Sequence, residues 1–144
     1  PPPIPTASLA EVVGIAGLSF TNAGFEVTDA YTQEAFDGAV TPDAGYKLLV
    51  AKYNVTNTTE SDIMLDINAR GWRVRVGYNG NSSTMTRTLM TLLPNDLAYF
   101  ADNIAAGETV TLVALVDAAV GSADEVSSVQ LSIGTEAGDI NITN

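Results

Sequence analysis

Apolar and polar residues alternate with a period of two through most of this chain, in short runs separated by turn-forming clusters. Such alternation puts successive side chains on opposite faces of a β-strand. The clearest run is Tyr46–Asn57, with Leu49, Ala51, Tyr53 and Val55 on one side and Leu48, Val50, Lys52 and Asn54 on the other. The first set is predicted to face a core. The second starts apolar and ends polar, as when a strand leaves a covered region for solvent.

The same reading places a first strand at Leu18–Phe20 and a second at Phe25–Tyr31, with Phe25, Val27 and Tyr31 inward. Ile63, Leu65 and Ile67 alternate with Asp62, Met64 and Asp66, and Trp72, Val74, Val76 and Tyr78 alternate with Arg73, Arg75 and Gly77. Asn79-Gly80 follows directly and is a strong hairpin signal, so a partner strand is expected over Ser83–Leu89. Thr109–Val116 is apolar on both faces and reads as a central strand. Val126–Ile133 and an edge strand at Ile140–Ile142 complete the set. Gly14 and Gly17 interrupt the apolar Leu9–Phe20 stretch and argue against a helix there. Leu92–Leu97 breaks the alternation and suits a short helical turn. Seven to nine short antiparallel strands with frequent turns predict an all-β, immunoglobulin-like β-sandwich. Residues 1–8 read as a Pro-rich linker or disordered N-terminus, and residues 9–144 as one sandwich domain.

Composition agrees with that picture. Charged residues make up only 16% of the 144, and Thr, Ser, Asn and Gly stand in their place, which favours strands and turns over surface helices. The net charge of −11 opposes binding to a nucleic-acid backbone, so no nucleic-acid partner is expected. Cysteine and histidine are both absent, which removes thiolate and imidazole ligands, Cys or Ser–His nucleophiles and histidine acid–base chemistry. No enzyme activity and no cofactor are expected. No apolar run is long enough for a membrane helix, and the opening Pro1–Thr6 lacks an initiator Met, as in a processed or trimmed chain.

Three stretches carry a family resemblance. Gly45–Thr59 is a long strand ending in an Asn-Thr turn, Leu92–Leu97 is a Leu-Leu-Pro-Asn-Asp-Leu connection, and Ala105–Val110 holds a Gly-Glu turn before a late strand. Together they span roughly Phe20 to Ile133 and resemble the secreted bacterial immunoglobulin-like domains related to the immunoprotective extracellular protein, often found in Gram-positive lipoproteins. The resemblance implies an extracytoplasmic location and often a lipid anchor, and it brings no catalytic residues. The lipid-bearing Cys of such proteins is absent here, so membrane attachment would rest on sequence outside this chain.

Candidate binding chemistry centres on Trp72–Tyr78. Lys47–Arg87 holds all six basic residues against three acids, a net +3, whereas the flanks carry −14. Arg73 and Arg75 share one strand face and suit an anion or acidic glycan. The favoured alternative is pairing across strands with Asp62 or Asp66. Trp72 and Tyr78 would stack on sugar rings if exposed, although a lone Trp alternating with valines is usually core. Asp37, Asp43, Asp96, Asp102 and Asp139 lie near loops and offer oxygen ligands for calcium, but without the spacing of a calcium loop, so no metal site is assigned. Asn-x-Ser/Thr triplets begin at Asn54, Asn57, Asn81 and Asn141 and read as chance in an Asn- and Thr-rich chain. Lys52 would form an intramolecular amide with an Asn or, more ordinarily, snorkel to solvent.

The expected function is a non-catalytic binding or adhesion module at the cell envelope, a monomer or weak homo-oligomer with an unknown protein or glycan partner. One alternative is a self-assembling surface subunit that donates Leu9–Phe20 to a neighbour's sheet. The other is a small-ligand or glycan binder with a crevice between its sheets.

Overall fold

The computed structural model describes residues 4–33, 36–67, 71–80, 84–87, 89, 91, 93–98, 100–119 and 125–143, with backbone alone at 36, 37 and 84–87. In chain order the elements are β1 (Thr6–Ser8), α1 (Leu9–Val13), β2 (Leu18–Thr28), β3 (Tyr31–Gln33), β4 (Phe36–Val40), β5 (Tyr46–Asn57), β6 (Ile63–Asp66), β7 (Trp72–Tyr78), β8 (Thr84–Arg87), β9 (Ala101–Ile104), β10 (Thr109–Ala119), β11 (Val126–Thr135) and β12 (Gly138–Thr143).

Two sheets face each other, one ordered β1-β12-β11-β7-β8 and one ordered β10-β5-β2, with the small ladders β3-β4 and β6-β9 beside them. The core between them takes Leu49, Ala51, Tyr53 and Val55 from β5, Leu112, Ala114 and Val116 from β10, and Phe20 from β2. The facing sheet supplies Trp72, Val74 and Val76 from β7, Leu131 and Ile133 from β11, and Ile142 from β12. This is the expected all-β sandwich. It has more strands than seven to nine among the described residues, and β1 pairs with β12 in parallel rather than antiparallel.

The chain's beginning differs from its sequence reading. Asn141 N donates to Pro5 O and Thr6–Ser8 pairs with Asn141–Thr143, so the fold includes residues assigned above to the linker. Leu9–Val13 is helical after all. Ser8 Oγ accepts from Glu11 N at 3.2 Å and Glu11 Oε1 from Ser8 N at 3.1 Å, a capping box that satisfies two end donors. Gly14, at φ 72°, is the helix's left-handed stop and not a reason for its absence. Leu18–Phe20 belongs to β2 and pairs with β5 of its own sheet, so the segment named for strand donation is occupied internally.

Asn79 and Gly80 both take positive φ, 53° and 77°, and β7 pairs antiparallel with β8 as the Asn-Gly signal predicts. Strand β8 lies within the predicted Ser83–Leu89, of which Ser83 and Thr88 fall outside the described residues.

Strand β10 is not central. It forms one edge of its sheet, and its outer rim is covered by Leu89, Asn95 and Leu97: Leu89 N donates to Leu115 O, Leu97 N to Val113 O and Asn95 Nδ2 to Thr111 O, while Val113 N donates to Asn95 O. Its outward side chains Val113 and Leu115 join Leu48, Val50 and Leu93 in a second cluster, against which Tyr31, Val40 and Leu89 pack. Apolar residues on both faces therefore report a layer above and a layer below. They do not report a strand on each side.

Candidate functional site

Strand alternation separates the residues nominated between Trp72 and Tyr78. Trp72 points inward, is 4% exposed and donates from Nε1 to Ile67 O at 2.8 Å, so it is core and unavailable for stacking on a sugar. Tyr78 is half-buried and packs against the same cluster. Arg73 and Arg75 lie on the opposite face and share Asp139: Arg75 Nη2 is 3.0 Å from Oδ2, and Arg73 Nη1 is 3.6 Å from Oδ1. A Cβ on Gly134 would come within 3.3 Å of the Arg73 guanidinium, which lies across that glycine toward Asp139. The expected partners Asp62 and Asp66 are not the ones used, because β6 pairs with β9 while β7 pairs with β11 and β8. Asp139 arrives instead from the start of β12, opposite Gly134 of β11. The four residues do not converge on one site.

The other candidates are similarly dispersed. Asp96 is fully buried, accepting at Oδ2 from Thr91 N and Thr91 Oγ1 and at Oδ1 from Ala98 N. Burial pushes its carboxyl above the usual value, against those hydrogen bonds, which pull it down. Asp102 accepts from Asn103 N, and Asp43 N donates to Asp117. The Asp37 side chain lies outside the described residues, and among those described no group of three acidic side chains is arranged for a metal. Asn57 is buried with its amide fully engaged, donating to Ser61 O and Ile104 O and accepting from Thr59 N and Oγ1, which removes it as a glycan acceptor. Asn54 and Asn141 accept from Thr111 Oγ1 and Ser132 Oγ, and Asn81 lies outside the described residues. Lys52 snorkels, with Nζ 3.8 Å from Glu26 Oε2 and 5.8 Å from the Tyr31 ring centre.

A different set of residues builds a site. A cavity of about 260 Å³ opens between the sheets on the β2 side. One wall is β2 and β5. Phe20 stacks on Tyr53 with ring centres 5.1 Å apart, and Asn22, opposite Tyr53 in register, stands exposed at the rim. The other wall comes from β11 and β12, whose pairing stops at Ser132–Asn141, while Ile142 and Thr143 continue along β1 on the far edge of β12. The Gln130 side chain spans the gap they leave, Nε2 donating to Leu131 O at 2.7 Å and Ile142 O at 2.8 Å. Val129 and Leu131 supply the apolar lining.

Tyr53 is the chemically distinctive member. It is 2% exposed, yet its hydroxyl has no hydrogen-bond partner among the described residues. Burial pushes its ionisation well above the ordinary phenol value, so it is a neutral donor at any physiological pH. Periodicity correctly turned Tyr53 inward but treated it as core. The signal available was a polar tip in the middle of the most apolar strand, since a buried tyrosine hydroxyl ordinarily finds a partner.

No protein-family model matches the sequence, and no curated protein matches it. Among solved structures, an uncharacterized β-sandwich protein from Clostridium difficile 630 is similar, with a TM-score of 0.51 at 13% identity over 88% of this chain and 85% of its own. A conserved hypothetical protein from Bacillus anthracis aligns with TM-score 0.46 and 11% identity over 89% of each chain. The yjhA protein from Bacillus subtilis aligns with 0.48 and 14% over 88% of this chain and 92% of its own. The first of these likenesses shows the fold that this chain shares: a β-sandwich.

Proposed function

We propose that this domain is a non-catalytic binding module that takes a small ligand between its two sheets. The observation that carries this reading is the cavity beneath β2, lined by Phe20 and Tyr53 on one side and by Val129, Gln130, Leu131 and Ile142 on the other. Binding sites are typically concave with a few oriented polar groups. Here Phe20, Val129, Leu131 and Ile142 share the lining with Asn22, Gln130 and Thr143, around a space of about 260 Å³, just below the usual range of roughly 300–1,000 Å³. The absence of His and Cys supports a non-catalytic role. A place outside the cytoplasm, as part of a bacterial lipoprotein or other cell-surface protein, is supported by the resemblance to the immunoprotective extracellular protein family.

A screen of small uncharged aromatic fragments against ¹⁵N-labelled protein tests the reading. Binders are expected to shift the amides of Gln130, Leu131 and Ile142, and Val129→Phe, which fills the mouth, is expected to abolish the shifts. A screen in which every fragment leaves those amides unmoved would reject it.

A further inference from the structure

We propose that Asn79 is a site of spontaneous covalent modification, closing to a succinimide with Gly80 at a rate that Ser127 restrains. Asparagine is among the thermolabile residues. Ring closure needs a free side-chain amide and a following backbone nitrogen that no side chain crowds. Asn79-Gly80 is the one Asn-Gly step in the chain. Both residues are exposed, and the place a Cβ would take on Gly80 has no atom within 4 Å.

The other described asparagines are held. Asn22, Asn54 and Asn141 accept from Gly24 N, Thr111 Oγ1 and Ser132 Oγ. Asn95 and Asn103 donate to Thr111 O and Asp62, and Asn57 both donates and accepts. Among the described residues none is hydrogen-bonded to the Asn79 side chain. A held amide must break its bond before its carbon can swing to a neighbouring nitrogen, and Asn79 has none to break.

The fold intervenes at the nitrogen. Strand β11 carries an extra residue between Val126, opposite Tyr78, and Ser128, opposite Gly77. That residue is Ser127, and a bulge re-aims a side chain out of the strand's alternation. Its Oγ accepts from Gly80 N at 2.9 Å. Attack requires this nitrogen to lose its proton, and a proton held by Ser127 is less open to hydroxide. Asn79 N donates to Glu125 O at 2.9 Å, which ties the turn to the same neighbouring segment.

The reaction balances with water alone. Hydroxide takes the Gly80 N–H proton, and the nitrogen attacks Asn79 Cγ. The N–Cγ bond forms, Cγ–Nδ2 breaks, and ammonia leaves with a proton from water, which regenerates hydroxide. Water then opens the ring at either carbonyl, giving aspartate or isoaspartate at this position and one added negative charge. Aspartate suits the turn, because Asp-Gly takes the same pair of positive φ values. Isoaspartate runs the main chain through the side-chain carbon, lengthens it, and disturbs the register of β7 with β8.

The experiment incubates the full chain and Ser127→Ala in mildly alkaline buffer and follows the products by tandem mass spectrometry, with fragments that separate Asn79 from Asn81. A gain of about 1 Da is expected at Asn79 ahead of every other asparagine. Ser127→Ala should speed it about fivefold, the equivalent of one ordinary hydrogen bond, with Asn22 unchanged. Wild type unfolded in guanidinium should also react faster at Asn79 than the folded chain. An Asn79 that stays intact in the folded chain after the unfolded chain has reacted fully would overturn the site. Equal rates in folded and unfolded wild type, or in wild type and Ser127→Ala, would overturn the restraint. So would a rise at Asn22 as large as that at Asn79, which would assign the acceleration to general loosening.

Discussion

The three-stranded sheet ends in two edges, and the molecule treats them in opposite ways. At β10 Leu89, Asn95 and Leu97 lie along the rim and hydrogen-bond to Leu115, Val113 and Thr111, while Leu93 sits on the outer apolar face. At β2, among the described residues, no strand adds beyond the pairing with β5. The edge there carries a bulge between Asn22 and Phe25, and the space behind it is the cavity. Both are recognised ways of blunting an unpaired edge, by covering it or by kinking it. They leave very different interiors. Covering closes the core on the β10 side, whereas the kinked β2 rim leaves the sheets apart. The site lies where the sandwich is least sealed.

The largest test of this contrast strikes the cover. Leu97 is 1% exposed and packs in the main core while its backbone N–H holds Val113 O. Leu97→Ala is expected to cost about 3 kcal/mol by urea denaturation, within the range for buried Leu truncations, and to speed hydrogen exchange at Val113. A loss below about 1 kcal/mol would mean that β10 holds its place without the cover.

Next in size is Asp96, which ties the covering turn together through Thr91 and Ala98. Asp96→Asn keeps the shape but turns an amide donor toward groups that already donate, and should cost about 2 kcal/mol at neutral pH. The pH dependence has a definite sign. Burial raises the Asp96 carboxyl in the folded state, so the folded protein holds that proton more tightly than the unfolded chain. Its contribution to stability is greatest at or below the ordinary carboxylate value of about 3.9 and declines as pH rises through the elevated folded value. Denaturation midpoints of wild type and Asp96→Asn across pH 3 to 7 should therefore differ most at the lower end. A constant difference would show that Asp96 titrates alike in both states.

These elements show how far the sequence could be read. Tyr46–Asn57 was legible in full, because one face meets the opposite sheet and the other runs from covered to solvated, and each fact leaves its mark in a period of two. β10 was misplaced because alternation reports burial of faces, whereas pairing at an edge is made by backbone groups common to all residues. Arg73 and Arg75 were correctly assigned to one outward face, but Asp139 was unforeseeable from spacing, since β7 chooses β11 and β8 as neighbours over β6, the strand before it. The cavity was invisible for a related reason. It opens where the β11–β12 ladder stops at Ser132–Asn141, and where a ladder ends is set by backbone pairing, which side-chain alternation does not report.

A smaller effect is expected at the open rim. Phe25 lies opposite Ala51 in register, on the inner side as periodicity predicts, yet it is 41% exposed because it stands on the uncovered edge. Phe25→Ser should cost under about 1 kcal/mol, far less than the roughly 3–5 kcal/mol of a core Phe truncation. A core-sized loss would show that the β2 side is sealed in solution, and the contrast between the edges would fail.

The smallest effect is the most diagnostic, because its sign decides. A buried tyrosine hydroxyl with a partner loses about 1 kcal/mol of stability when replaced by phenylalanine, since a hydrogen bond disappears. A buried hydroxyl without one costs desolvation and returns nothing, so its removal should leave stability unchanged or raise it by up to about 1 kcal/mol. Tyr53 stacks on Phe20 through its ring, which Tyr53→Phe preserves, so packing changes little and the hydroxyl is isolated as the variable. Equal or greater resistance of Tyr53→Phe to urea, measured without added ligand, is the expected result. A loss near 1 kcal/mol would mean that solvent reaches the hydroxyl through the β2 rim and satisfies it. The open edge would then be a channel for water first, and any ligand would have to displace that water to bind.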